Sequence, residues 1–254
     1  MIPKRKIAIS TAVAVCLLLA AGASAALVKV GPLVLRADGG FAPRTLPRHT
    51  YAPIHFQGHA SIASTVPGPP PALQQAIIEF DRDGRLTTVG LPTCSPIRLA
   101  GTTPEEARRM CQSSIVGVGH VSAEVALPGV APIEETSPLT LFNGPRVGGN
   151  PTVIFHAQGT YPGTETYVVV MPIEPLRGAY AYRTTLNVPP IAAGHGSLTH
   201  VDVKIGKQYS FHGTPRSYTA ARCSDGVLAT KGQFTFSDGT IIYGAVEKPC
   251  SVRR

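Results

Sequence analysis

Residues 54–62 read Ile-His-Phe-Gln-Gly-His-Ala-Ser-Ile. Apolar or small residues at 54, 56, 58, 60 and 62 alternate with polar ones at 55, 57, 59 and 61, the period of a strand with one buried face. The pattern returns downstream, where Tyr180, Tyr182, Thr184, Leu186 and Val188 share a face, as do Thr199, Val201, Val203 and Ile205. Phe234-Thr235-Phe236-Ser237-Asp238-Gly239-Thr240 adds a hairpin signature with both phenylalanines inward. Further strands are expected at Ala76–Phe80, Arg85–Val89, Val116–Leu127, Leu139–Phe142, Val153–Ala157 and Tyr167–Ile173, the first two joined as a hairpin around Asp81-Arg82-Asp83-Gly84. The 26 glycines and 24 prolines are spread along the chain, many of them between these segments, so they are read as turn-rich β structure and not disorder. The expected fold is all-β: an antiparallel β-sandwich of two packed sheets, with two immunoglobulin-like halves meeting near Gly144–Asn150 as the alternative.

The start of the chain has a different character. Lys4, Arg5 and Lys6 precede an apolar run from Ile7 to Gly22, and Ala23-Ser24-Ala25 offers the small residues a signal peptidase accepts. Residues 1–25 are read as a signal-peptide helix cut before Ala26; the competing reading is a retained anchor running on toward Val28. No second apolar run of about 20 residues follows, so no transmembrane segment is expected in the mature chain. Removing residues 1–25 takes out three basic groups and no acid, leaving 20 basic against 15 acidic, net +5. Residues 26–53 are expected as an extended arm with one strand at Pro32–Arg36, and 54–254 as the β domain, with a possible sub-boundary in the turn-rich stretch 143–151.

Four cysteines survive that cut: Cys94, Cys111, Cys223 and Cys250. In an exported chain they imply two disulfides with three possible connectivities. The local pairing, Cys94–Cys111 with Cys223–Cys250, is favoured, each bridge contributing about 3–4 kcal/mol by loop closure. One short helix is expected after Thr103-Pro104-Glu105-Glu106, a capping box with proline at N1, running to about Gln112.

Two stretches, PALQQAIIEFDRDGRLTTVGLPTC (Pro71–Cys94) and CSDGVLATKGQFTFSDGTIIYGAVEKPC (Cys223–Cys250), resemble a family of predicted secreted actinobacterial proteins with no assigned function. The resemblance implies export and agrees with the local cysteine pairing. It implies no activity and no site residue.

Candidate chemistry is sparse. His55 and His59 point the same way along one strand but about 13 Å apart, too far to share a metal ion. His195 and His200 flank another strand, and His120, His156 and His212 stand singly; all are expected to be structural, with no metal and no cofactor. There is no GxSxG, and the cysteines are expected to be oxidised. Glu134 and Glu135 would point to opposite faces, a poor glycosidase pair. Basic residues gather near both ends: Arg36, Arg44, Arg48, Lys248, Arg253 and Arg254 are the candidate polyanion contacts, facing anionic cell-envelope polymers and not nucleic acid, since no aromatics interleave. The sequence therefore points to a secreted or envelope-associated, non-enzymatic binding or structural β-module of undetermined oligomeric state. The alternative is a secreted hydrolase built from loops around His156 or His195.

Overall fold

The computed structural model describes residues 25–253, so the signal-peptide reading of residues 1–25, all but Ala25, and the Arg254 contact lie outside the described residues. Twelve strands make one antiparallel sheet. They are β1 (Ala26–Val30), β2 (Leu33–Ala42), β3 (His55–Ser64), β4 (Leu73–Asp81), β5 (Ile115–Val125) and β6 (Ile133–Val147), then β7 (Asn150–Gly159), β8 (Glu165–Pro175), β9 (Tyr180–Asn187), β10 (Gly196–Ile205), β11 (Val227–Phe236) and β12 (Ile241–Pro249). Their spatial order is 1-2-3-10-5-6-7-8-9-4-11-12. This is an up-and-down meander in which strands 4 and 10 have changed places. Both are even-numbered, so the exchange leaves every neighbouring pair antiparallel.

The outermost strands meet. β12 lies against β1 and also against β2, and a Cβ placed on Gly244 would stand 3.4 Å from that of Ala26. β1 pairs with β2 only as far as Ala37. Just beyond that point Lys248 Nζ bonds Asp38 Oδ1 at 2.6 Å, bridging the seam. The sheet is thus a nearly closed barrel and not the expected two-sheet sandwich. Strands with one buried face look alike in both, and only the meeting of the edges separates them. Nor does the sheet divide into immunoglobulin-like halves. Residues 143–151 are the β6–β7 hairpin, with Val147 opposite Asn150 and Gly148 and Gly149 turning at positive φ. Residues 26–53, expected as an arm, supply two strands of the wall.

The exchange forces four connections across the barrel. Residues 65–72 and 188–195 span one end, 82–114 and 206–226 the other. At the second end Ala52–Pro53, Thr219–Ala221 and Gly84–Leu86 form a small three-stranded sheet, sealed by Phe41, Leu46, Ile54, Ala221 and Cys223. The Asp81–Gly84 segment is a turn, as expected, but not a hairpin, because residues 84–86 leave β4 to pair with 219–221. Asp83 is fully buried and explains the departure: its carboxylate accepts from Arg222 Nε at 2.8 Å and from the Ser224 amide at 2.7 Å. Burial pushes its pKa up, but hydrogen bonds from Ser224 and from Arg222, with the Arg222 charge, together hold it below the usual range.

Both bridges have the local pairing, Cys94–Cys111 and Cys223–Cys250, with Cα separations of 5.7 and 6.0 Å. The first pins a helical excursion, α1 (Pro96–Leu99) and α2 (Pro104–Met110), onto the outer face of β6, β7 and β8. The capping box forms: the Thr103 amide donates to Glu106 Oε2 at 2.9 Å and the Glu106 amide to Thr103 Oγ1 at 3.3 Å. Among the described residues no helix is long and apolar enough to cross a membrane.

Candidate functional site

The interior of the barrel follows from the period of its strands. Phe56, Gly58, Ala60 and Ile62 of β3 turn inward, while His55, Gln57 and His59 turn out. Thr184, Leu186 and Tyr182 of β9 also face in, as do Phe234 and Phe236 of β11. Thr199 does not share the inward face of Val201 and Val203, because a bulge between Leu198 and His200 resets the register. Phe56 and Phe80 stand on strands third and tenth in the order, yet their rings meet edge to face at 5.8 Å. They touch across the lumen.

The lumen is not filled. A cavity of about 360 Å³ runs through it, its wall almost entirely carbon. The cause lies in small inward residues on adjoining strands: Ala26, Ala37, Gly39, Gly58, Ala60 and Gly244 leave space that the facing aromatic rings do not occupy. A second space of about 110 Å³ shares Phe155, Leu186, Leu198 and Val201 with the first and extends toward the other end.

One polar group of the wall is buried without a partner. Tyr218 lines the cavity at 2 % exposure, and its hydroxyl has no hydrogen-bond partner among the described residues. Burial raises its pKa, so at neutral pH it is a proton donor in search of an acceptor. No family model matches the chain, nor does any curated protein or solved structure.

The residues singled out from the sequence distribute as follows. Arg44, Arg48 and Arg253 are exposed, and residues 44–46 are stitched to 251–253: the Ser251 amide donates to the Arg44 carbonyl and the Arg253 amide to that of Leu46, in parallel pairing. Arg36 projects outward from β2, separately. Lys248 does not join them. It is 6 % exposed and its ammonium is held by Asp38, whose pKa that bond lowers.

His156 is buried beneath the helical excursion, edge-on to Phe142, with Nε2 bonded to Thr102 Oγ1 at 3.0 Å and Nδ1 unpartnered. Burial lowers its pKa. Its ring has no carboxylate partner, and exposed His195 makes no ion pair among the described residues, so neither has the second group of a catalytic base. His55 and His59 do not converge, as their spacing predicts. His59 instead meets His200 and Asp202 of β10, a juxtaposition no local pattern announces. The cavity did leave a local trace, in the small residues at inward positions 58 and 60.

Proposed function

We propose that the chain is an exported, non-enzymatic binding protein that carries an apolar molecule in the lumen of its barrel, with one hydrogen-bond acceptor of that molecule placed on Tyr218. The carrying observation is the apolar cavity of about 360 Å³, more than twice the roughly 150 Å³ of a dry protein cavity that takes up benzene. Its size and lining are those of small-molecule sites. The polarity of β3, carbon inside and His55, Gln57, His59 outside, is the reverse of that of a barrel spanning lipid. Two disulfides suit an oxidising compartment, and the secreted-family resemblance of the cysteine-framed segments points the same way. The exposed arginines 44, 48 and 253 supply a second, weaker contact, to anionic polymers of the envelope.

The test is solvent extraction and mass spectrometry of the purified protein, joined to titration with an apolar fluorophore. One apolar species or one saturable fluorophore site is expected. Tyr218→Phe should weaken a fatty acid more than the matching alkane. A protein that neither retains an apolar compound nor takes up the fluorophore would refute the reading.

A further inference from the structure

On the outer wall, strand register builds a row of opposed side chains. Asp38 of β2 faces His59 of β3, His59 faces Asp202 of β10, and Asp202 faces His120 of β5. Within this row three groups converge. His59 Nδ1 lies 3.0 Å from Asp202 Oδ1, and His200 Nε2 bonds Asp202 Oδ2. The two imidazoles stand edge to face, centroids 4.5 Å apart. All three ligand atoms fall within 4.8 Å of one another. The side chains are half-exposed or nearly so, at 45 %, 31 % and 50 % for His59, His200 and Asp202.

We infer that His59, His200 and Asp202 form a binding site for one divalent transition-metal ion. Zinc holds imidazole nitrogen and carboxylate oxygen at about 2.0–2.2 Å, so tetrahedral ligands stand about 3.3–3.5 Å apart. The present spread exceeds that by at most about 1.5 Å, a gap that rotation of half-exposed rings closes without moving backbone. Two imidazoles and one carboxylate suit zinc, nickel or copper and not calcium or magnesium, which demand oxygen. Three protein donors leave at least one position for water, so the ion is exchangeable and not a folding cofactor. His120 faces the set from β5 and Asp38 from β2, the latter engaged by Lys248. The three side chains project from the outer face of β3 and β10, and His59 and His200 also border the cavity wall.

A hydrogen-bonded His–Asp–His cluster with no metal role is the competing account, and amide variants separate the two. Gln and Asn retain hydrogen bonding but supply no imidazole or carboxylate donor. The full chain, stripped with chelator, is titrated calorimetrically with Zn²⁺ and with Ni²⁺. One equivalent should bind, with a rise in melting temperature. His59→Gln, His200→Gln and Asp202→Asn should each weaken binding at least about tenfold, since even outer partners of metal ligands are worth about 10–100-fold. His55→Gln should change nothing. Failure of the wild type to take up an equivalent of either metal, or undiminished uptake by the His59→Gln/His200→Gln double variant, overturns the assignment. Fluorophore uptake should be unchanged in Asp202→Asn, whose residue does not line the cavity, which keeps this test apart from that of the carrier reading.

Discussion

Replacing Ala60 by leucine should make the empty protein more stable and a worse carrier. Ala60 stands on β3 opposite Ala37 of β2 and Val201 of β10, and all three line the cavity. The leucine adds three carbons, each worth about 0.8 kcal/mol when buried, so up to roughly 2.4 kcal/mol is available. For a domain of this length 1 kcal/mol moves the melting temperature by about 2–4 °C, which sets an expected rise of up to about 5–10 °C. Were the lumen already full, the same substitution would overpack it and cost about 1–3 kcal/mol. The sign of the shift therefore distinguishes an open lumen from a filled one. Circular dichroism melting of delipidated protein measures it, and fluorophore titration should show weakened uptake. A lowered melting temperature, or unimpaired uptake in a stabilised variant, would refute the reasoning.

Three other outcomes are expected. Because burial depresses the pKa of His156, the unfolded chain takes up the proton first, so stability should fall as pH drops below about 6.5; melting at pH 7.5 and 5.0 should show that loss shrink in His156→Gln, and an unchanged loss would exclude His156 as its source. Either disulfide should contribute about 3–4 kcal/mol by loop closure, but Cys250→Ser opens the end that seals the lumen and should impair fluorophore uptake, whereas Cys111→Ser should not. Arg44→Glu/Arg48→Glu should weaken retention on an anionic polymer at low salt without moving the melting temperature, since exposed charges are screened beyond about 10 Å at 0.1 M and about 3 Å at 1 M; retention indifferent to salt would rule out the electrostatic contact.

What the sequence makes legible is whatever depends on near neighbours. The alternation at 54–62, the hairpin at 234–240, the capping box at Thr103 and the local disulfides all appear in the structure, since each is decided within a few turns of chain. Closure of the sheet is decided by partners far apart, so a sandwich and a barrel read alike. Lys248 is instructive. It follows Ile242, Gly244 and Val246 at period two, and that register already buries it, leaving its ammonium to reach Asp38 across the seam. Its charge suggested the surface and its position decided otherwise. His59 and Asp202 are 143 residues apart, and nothing in either strand names the other.

The trading of places between β4 and β10 has a consequence for how the chain assembles. Strands 1–3, 5–9 and 11–12 each pair with their sequence neighbours and can zip up locally. β10 must wait for a slot between β3 and β5, and β4 for one between β9 and β11. Neither slot exists until separate pieces have come together, so completion of the wall is a late, non-local and slow event. Until then β3 and β5 present bare edges, the usual starting point for aggregation. The cysteines are arranged so that oxidation need not wait. Cys94–Cys111 closes within one connection, and Cys223–Cys250 spans the single hairpin of β11 and β12. Both covalent ties can be made in pieces that form early, before the strands that complete the wall arrive.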